Sequence, residues 1–201
     1  YTAAIRQDNE EFQAAKNAGI PMLTRAQLLG QIMANYKYSV AVSGTHGKTT
    51  TTSMLSLIMM EGDTDPTISV GGMIDAIGGN IRVGSSEYFV TEACEYTNSF
   101  HAFNPYISLI LNVDADHLDF FSGIEEIAES FHTFATKTPK EGLVIVNGDM
   151  KYYDTVVRDL SCRVLTFGES EDNNYTAKNI TFDSFGHPTY TLVKDGVEIT
   201  E

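Results

Sequence analysis

The sequence has little positive charge. It contains 13 lysine and arginine residues against 27 aspartate and glutamate residues, so its formal net charge is −14 over 201 residues. Such a chain repels phosphodiester backbones and anionic lipids, and neither a nucleic acid nor a membrane is therefore expected as a partner. An anionic ligand would have to be held by a few focused cations and by backbone N–H groups.

Cysteines and long apolar runs are also scarce. Cys94 and Cys162 are too few and too far apart for a disulfide framework or a cysteine-based metal site. No apolar run reaches the roughly 18 residues of a membrane-spanning helix, and the acidic start does not have the pattern of a secretory leader. These absences favour a cytoplasmic protein, and 42% hydrophobic residues are enough for one large domain with a buried core.

Residues 1–36 differ in pattern from the rest of the chain. Asp8–Glu11 and Thr24–Gln27 have the spacing of capping boxes and predict the starts of two helices, the first of which ends at Gly19. This segment is too small to form a core by itself.

From residue 37 onwards, short apolar runs alternate with helical patterns. This alternation predicts an α/β fold of the P-loop type, with a doubly wound, mainly parallel sheet and helices on both faces. Two later runs, 175–182 and 189–193, predict a small antiparallel portion near the C-terminus. The other predicted strands are 39–42, 87–91, 107–111, 143–146 and 163–167, and the predicted helices are 50–60, 124–135 and 152–160.

Gly44–Thr50 has the pattern of a phosphate-binding loop. It lies between a predicted strand and a predicted helix, so backbone N–H groups and a positive helix N-terminus can converge on a phosphate. Lys48 supplies a cation for the β- and γ-phosphates and Thr49 a hydroxyl for Mg²⁺, although Val42 replaces the first glycine of the general Walker pattern. The residues predicted to bind ATP are Gly44, Thr45, His46, Gly47, Lys48, Thr49 and Thr50.

Acidic residues follow a second predicted strand, where a doubly wound sheet holds its ligands. Glu92 stands directly at the strand end, the position from which many ATPases hold Mg²⁺. Glu95 is either a ligand-facing carboxylate or a solvated loop residue. Cys94 is more simply a small buried residue than a nucleophile.

A third predicted strand is followed by a cluster of hard oxygen ligands with one imidazole. Its members, within eight residues, are Asn112, Asp114, Asp116, His117 and Asp119. Their density predicts a second divalent cation or the positioning of a phosphate, although Asp116 and Asp119 can also be helix caps.

The glycine-rich stretch 70–80 either lets a bulky ligand approach the backbone or turns a hairpin. The isolated histidines, interpreted as structural, are His101, His132 and His187.

Together these segments resemble the Mur ligase superfamily, and within it the alanine-adding ligases. His46 in the phosphate loop and the E-A-x-E block favour that group over the later ligases of the pathway. The matching segments are GTHGKTTT at 44–51, VGGMIDAIGGN at 70–80, EACEYTNSF at 92–100 and LNVDADHLD at 111–119.

The resemblance implies an ATP-dependent amide ligase of peptidoglycan precursor synthesis. Such an enzyme joins L-alanine to UDP-N-acetylmuramate through an acyl phosphate and releases ADP and phosphate. Lys48, Glu92 and His117 are implied to be catalytic. Thr49 and Glu92 are implied to bind one Mg²⁺, and His117 a second. The residues implied to bind the substrate are Gly72, Asn80 and Glu95.

The resemblance also implies a division of the chain. Residues 1–36 resemble the C-terminal end of the UDP-binding N-terminal domain, and residues 37–201 resemble a central ATP-binding domain that is incomplete and lacks the C-terminal ligase domain. The 201-residue chain by itself is therefore expected to be inactive. Cys94 stands where an aspartate is common. His132 stands near a lysine that several relatives carry carbamylated, so that bridging role is not transferred.

Other classes remain as alternatives. These are another Mur-type ligase, a folylpolyglutamate synthase-like enzyme, a P-loop kinase or GTPase, and a nucleotide-gated binding module. A GTPase is disfavoured because the sequence has no N-K-x-D signature, and a kinase because few basic residues follow Lys48. The folate loop of the synthases is not evident.

Overall fold

Short apolar runs form the strands of a ten-stranded sheet in the computed structural model, which describes residues 1–2 and 5–199. Residues 3 and 4 of the predicted segment 1–36, and residues 200 and 201 of the predicted segment 37–201, lie outside the described residues. The strands are β1 Tyr38–Ser43, β2 Thr67–Ile74, β3 Gly79–Arg82, β4 Tyr88–Glu92, β5 Ile107–Ile110, β6 Leu143–Asn147, β7 Arg163–Phe167, β8 Tyr175–Phe182, β9 Pro188–Lys194 and β10 Val197–Glu198. The helices are α1 Glu10–Asn17, α2 Arg25–Met33, α3 Lys48–Glu61, α4 Ile124–Ala135 and α5 Tyr153–Val157, with 3₁₀ segments at Asp75–Ile77 and Tyr96–Ala102.

The strand order is β10-β9-β8-β7-β6-β5-β1-β4-β2-β3. β1 pairs in parallel with both β4 and β5, and the parallel pairing continues to β2 on one side and to β8 on the other. β3, β9 and β10 are paired antiparallel to their neighbours. The predicted fold class is confirmed. The chain reverses its direction of winding beside β1, the position where such sheets bind ligands.

The main core lies between the sheet and α4. The apolar positions of α4 from Ile127 onwards recur at helical spacing and are buried, as are Ala41 of β1, Ile110 of β5 and Val144 of β6. α2 packs into the same core through Met33, which is 1% exposed. At Gly30 of the same helix, a Cβ atom would lie 2.2 Å from the carbonyl oxygen of Ala102. Glycine is therefore required for this close approach. No helix among the described residues is long and apolar enough to span a bilayer.

Two local predictions were wrong in detail, and one open question is settled. α1 is capped by Asn9, whose side chain accepts from the Phe12 N–H, and not by Asp8. The helix predicted over 152–160 ends at Val157, because Arg158 leaves the helical conformation and Asp159 has a φ of 52°. The stretch 70–80, for which two interpretations were open, forms the hairpin of β2 and β3. By contrast, the capping box of Thr24–Gln27 is confirmed.

Candidate active site

The predicted phosphate loop connects β1 to α3. Gly44 and Gly47 have φ values of 144° and 85°, a region that side chains disfavour. A Cβ atom on Gly44 would lie 2.9 Å from Cβ of Leu111, so the loop is also packed against the end of β5. α3 starts at Lys48 and is 14 residues long. The N–H groups of its first turn lack intrahelical partners and carry the positive end of the helix dipole, as phosphate binding requires.

Asn112 and Asp114 hold this loop in shape. The Asn112 side chain accepts from the backbone N–H of His46 at 2.8 Å and donates to the His46 carbonyl at 3.0 Å. The hydroxyl of buried Thr45 accepts from the backbone N–H of Asp114 at 2.9 Å. Two members of the predicted cluster therefore position the loop by hydrogen bonds.

Replacing Asn112 with alanine is expected to weaken binding of ATP with Mg²⁺ about 5- to 30-fold. The loop loses two hydrogen bonds, together worth about 1–2 kcal/mol, and must then be ordered by the ligand itself. Titration calorimetry on the variant and on Asn104→Ala, an exposed asparagine away from the loop, measures the difference. Equal affinities for the two variants would contradict the role of Asn112.

The ammonium group of Lys48 is enclosed by oxygen atoms. Nζ donates to the carbonyls of Gly44 at 2.6 Å and Thr45 at 3.2 Å, and to both carboxylate oxygens of Glu95 at 2.9 and 3.2 Å. The side chains of Lys48 and Glu95 are 16% and 2% exposed. Glu95, predicted to bind the substrate, thus lies against the loop lysine and forms a buried ion pair with it.

Thr49 and Glu92 meet beside this pair. The Thr49 hydroxyl donates to Oε2 of Glu92 at 3.1 Å, and the Gly71 N–H donates to Oε1 at 2.7 Å. Cβ atoms on Gly71 and Gly72 would lie 3.0 Å from Oε2 of Glu92 and 2.9 Å from Cγ2 of Thr49, so β2 approaches because it carries glycines there. A hydroxyl and a carboxylate are hard oxygen ligands of the kind that Mg²⁺ prefers, so these residues fit that ion.

His117 joins the site from the third strand end. Its Nε2 lies 3.6 Å from Oε1 of Glu95 and 4.0 Å from Oδ2 of Asp116. The His117 backbone has a φ of 52°, and its ring packs against Tyr96 at 4.6 Å with a tilt of 34° between the planes. The Tyr96 hydroxyl donates to Asp119 at 2.9 Å. That hydrogen bond raises the pKa of Tyr96. The described residues contain no group of three or more His, Cys, Asp or Glu side chains arranged for a metal ion.

The remaining predicted residues divide between the site and the periphery. Gly72 lies against Thr49, whereas Asn80 is exposed on the edge strand β3. Cys94 is exposed and not buried as predicted. Partial desolvation of its thiol still raises its pKa, which favours the protonated form over a nucleophilic thiolate. His101 and His132 form hydrogen bonds to the carbonyls of Ser130 and Val156, as expected for structural residues.

Known families match this chain over almost all of its length. A model described as the Mur ligase middle domain matches residues 42–200, and one described as the Mur ligase family, catalytic domain, matches residues 1–37. The chain belongs to the Mur ligase family.

Named relatives within the Mur ligase family are close in sequence. The UDP-N-acetylmuramate–L-alanine ligases of Lachnoclostridium phytofermentans and Agathobacter rectalis are each 54% identical to 98% of this chain. The chain spans only 44% and 43% of the length of these relatives.

Solved Mur ligase structures share the fold. The UDP-N-acetylmuramate:L-alanyl-γ-D-glutamyl-meso-diaminopimelate ligase of Neisseria meningitides has a TM-score of 0.86 at 26% identity, covering 97% of this chain and 64% of that one. The UDP-N-acetylmuramate–alanine ligase of Thermotoga maritima has a TM-score of 0.83 at 25% identity, covering 99% and 44%. A MurF ligase of Thermotoga maritima, solved in complex with ADP, also shares the fold. Its TM-score is 0.66 at 20% identity, covering 87% of this chain and 42% of that one.

Beside the phosphate loop, this Mur ligase chain has a groove of about 730 Å³. The start of α2 forms one wall with Arg25, and the other wall carries Glu92 and the segment after β4. In that segment Thr97 and Asn98 both have positive φ values, 54° and 56°. Neither Arg25 nor this turn was predicted to contribute to a site. An arginine at a helix start has no distinctive sequence pattern, and a positive φ is unexpected for a threonine such as Thr97.

Proposed function

We propose that this chain provides the ATP-activating part of a UDP-N-acetylmuramate–L-alanine ligase. The observation that carries the proposal is the phosphate loop with Lys48 and the Thr49–Glu92 pair at its edge, in a chain 54% identical to ligases of that name. The loop Gly44–Thr50 binds the triphosphate of ATP.

Mg²⁺ fits this site as a partner of the nucleotide. Thr49 and Glu92 would hold one ion and His117 a second. When bound, the ions offset the charge that develops on the transferred phosphoryl group. Lys48 adds a fixed positive charge at the β- and γ-phosphates, and the buried surroundings strengthen its effect.

The reaction is carboxylate activation followed by amide formation. A carboxylate oxygen of UDP-N-acetylmuramate forms a bond to the γ-phosphorus of ATP, and the bond to the ADP oxygen breaks. The amine of L-alanine then attacks the acyl carbon, loses a proton, and releases phosphate. Gly72 and Asn80 belong to the surface that receives the sugar nucleotide.

The proposal includes the setting of the enzyme. Residues 1–36 are the end of a UDP-binding domain, and residues 37–201 belong to the central ATP-binding domain. The reaction takes place in the cytoplasm during peptidoglycan precursor synthesis, with small-molecule substrates and without a nucleic acid or membrane partner.

An assay of a ligase of full family length that contains this sequence tests the proposal. We expect ADP release that depends on UDP-N-acetylmuramate and is faster with L-alanine than with glycine or L-serine. The tripeptide L-alanyl-γ-D-glutamyl-meso-diaminopimelate is the fourth acceptor, because the Neisseria structure is a ligase of that name. Turnover with the tripeptide but with no other acceptor would show that the acceptor is the peptide and not L-alanine. No turnover with any acceptor, under conditions where ATP binds, would contradict the ligase proposal.

The 201-residue chain assayed by itself is expected to be inactive. Its relatives are more than twice as long, and the proposal assigns the binding of the amine to their additional segments. The chain is nevertheless expected to bind ATP with Mg²⁺ weakly, because it contains the loop and the Thr49–Glu92 pair. Phosphate release by the purified chain that depends on L-alanine would show this expectation to be wrong.

A further inference from the structure

All the donors of the Lys48 ammonium group are directed at protein oxygen atoms. Two acceptors, the carbonyls of Gly44 and Thr45, belong to the phosphate loop itself and stay with it. The remaining acceptor is the Glu95 carboxylate, through both oxygens. A triphosphate that reaches Lys48 must therefore accept the hydrogen bond that Lys48 now donates to Glu95.

Glu95 cannot move into solvent when this happens. The residue is 1% exposed, and it is held by its backbone on both sides. Two residues earlier, Ala93 donates to the Val42 carbonyl at 2.8 Å, and the Glu95 carbonyl accepts from the Asn98 N–H at 2.8 Å. The carboxylate thus stays buried beside the loop, with His117 Nε2 at 3.6 Å as a neighbour.

The charge around Glu95 opposes the binding of a metal-free triphosphate. A buried carboxylate that loses its counter-ion is strongly unfavourable. A metal-free triphosphate adds further negative charge next to Glu95 and to Glu92, which already accepts from Thr49. A divalent cation restores the balance by bringing two positive charges to the same place.

We propose that Glu95 makes triphosphate binding at this site conditional on a divalent cation. Glu95 acts through Lys48. It holds the ammonium group in an ion pair until a nucleotide arrives with a bound divalent cation. It is a positioning residue and not a metal ligand. This inference rests on the proposed function, because it requires that Gly44–Thr50 binds ATP.

Glu92 and Glu95 are distinguished by the direction of their effects. Glu92 is partly exposed and contacts the Thr49 hydroxyl, so its loss removes affinity that the metal provides. Glu95 contacts Lys48, so its neutralisation restores affinity that a metal-free nucleotide lacks. A merely structural Glu95 would lower both affinities together.

The test measures the Kd of ATP for the 201-residue chain in excess Mg²⁺ and in EDTA. We expect the wild-type Kd to be at least about 100-fold higher in EDTA, the size expected when one buried charge loses its partner. E95Q should bind metal-free ATP at least about tenfold more tightly than wild type. E95D, which keeps the charge, should keep the metal dependence, as should E141Q, an exposed glutamate at the opposite end of the sheet.

Each outcome decides the inference. Equal or weaker binding of metal-free ATP by E95Q overturns it, as does a wild-type Kd that is the same in Mg²⁺ and in EDTA. Thermal unfolding checks that E95Q is folded. If it is not, loss of the metal dependence in E95D overturns the inference, and its retention supports it. Failure of the wild type to bind ATP even with Mg²⁺ contradicts the proposed function and the inference together, whereas the other outcomes leave the proposed function intact.

Discussion

Replacing Lys48 with methionine is expected to abolish detectable nucleotide binding and to lower the free energy of unfolding by about 3–5 kcal/mol. Methionine keeps the apolar stem of the side chain but removes the ammonium group. The Glu95 carboxylate, 2% exposed, is then left buried without its counter-ion. The loss of stability therefore comes from Glu95, and the loss of binding from the missing cation.

Two further variants separate these effects. The double variant K48M/E95Q should recover most of the stability, because no unpaired charge remains, and should still bind ATP at least about 100-fold more weakly than wild type. K140M removes an exposed lysine and should change neither property. Urea denaturation gives the stability and calorimetry the affinity. A K48M variant as stable as wild type would contradict the buried ion pair.

The fold was predictable where the signal is local. The phosphate loop, the strand before it and the helix after it are contiguous, and the amphipathic pattern of α4 matched its observed bounds, Ile124–Ala135. A hairpin at 70–80 was only one of two interpretations, and β2 and β3 were not predicted as strands, because they are rich in glycine, which has low strand propensity, and because their pairing depends on other parts of the chain. Their glycines allow β2 to approach Thr49 and Glu92.

The candidate site was predictable where it depends on strand register. Glu92 pairs with Val42 across β4 and β1, so a carboxylate at that strand end must lie beside the loop that begins after β1. The Glu95–Lys48 pair does not depend on register. It depends on the turn after β4, where Thr97 and Asn98 have positive φ values, of which the one at Thr97 is not indicated by residue type. The loop-holding role of Asn112 was missed for a similar reason, because its partners are backbone groups.

Replacing Glu92 with glutamine is expected to lower turnover about 10²- to 10³-fold in a ligase of full family length. The amide oxygen of glutamine can still accept from the Gly71 N–H, so the approach of β2 is retained. The negative charge beside the Thr49 hydroxyl is lost, and with it the preference of this position for a divalent cation. The variant should therefore fold normally and fail in catalysis.

The dependence of this defect on Mg²⁺ identifies its cause. Raising the Mg²⁺ concentration should restore part of the E92Q activity, because a weakened site is then refilled by mass action, whereas metal-free ATP should bind E92Q at least as well as wild type. E87Q changes an exposed glutamate directly before the opposite end of β4 and provides the matched control. Turnover of E92Q that equals that of E87Q at every Mg²⁺ concentration would remove Glu92 from the metal site. A loss that added Mg²⁺ does not change, accompanied by a lower melting temperature, would instead make Glu92 a structural link between β2 and α3.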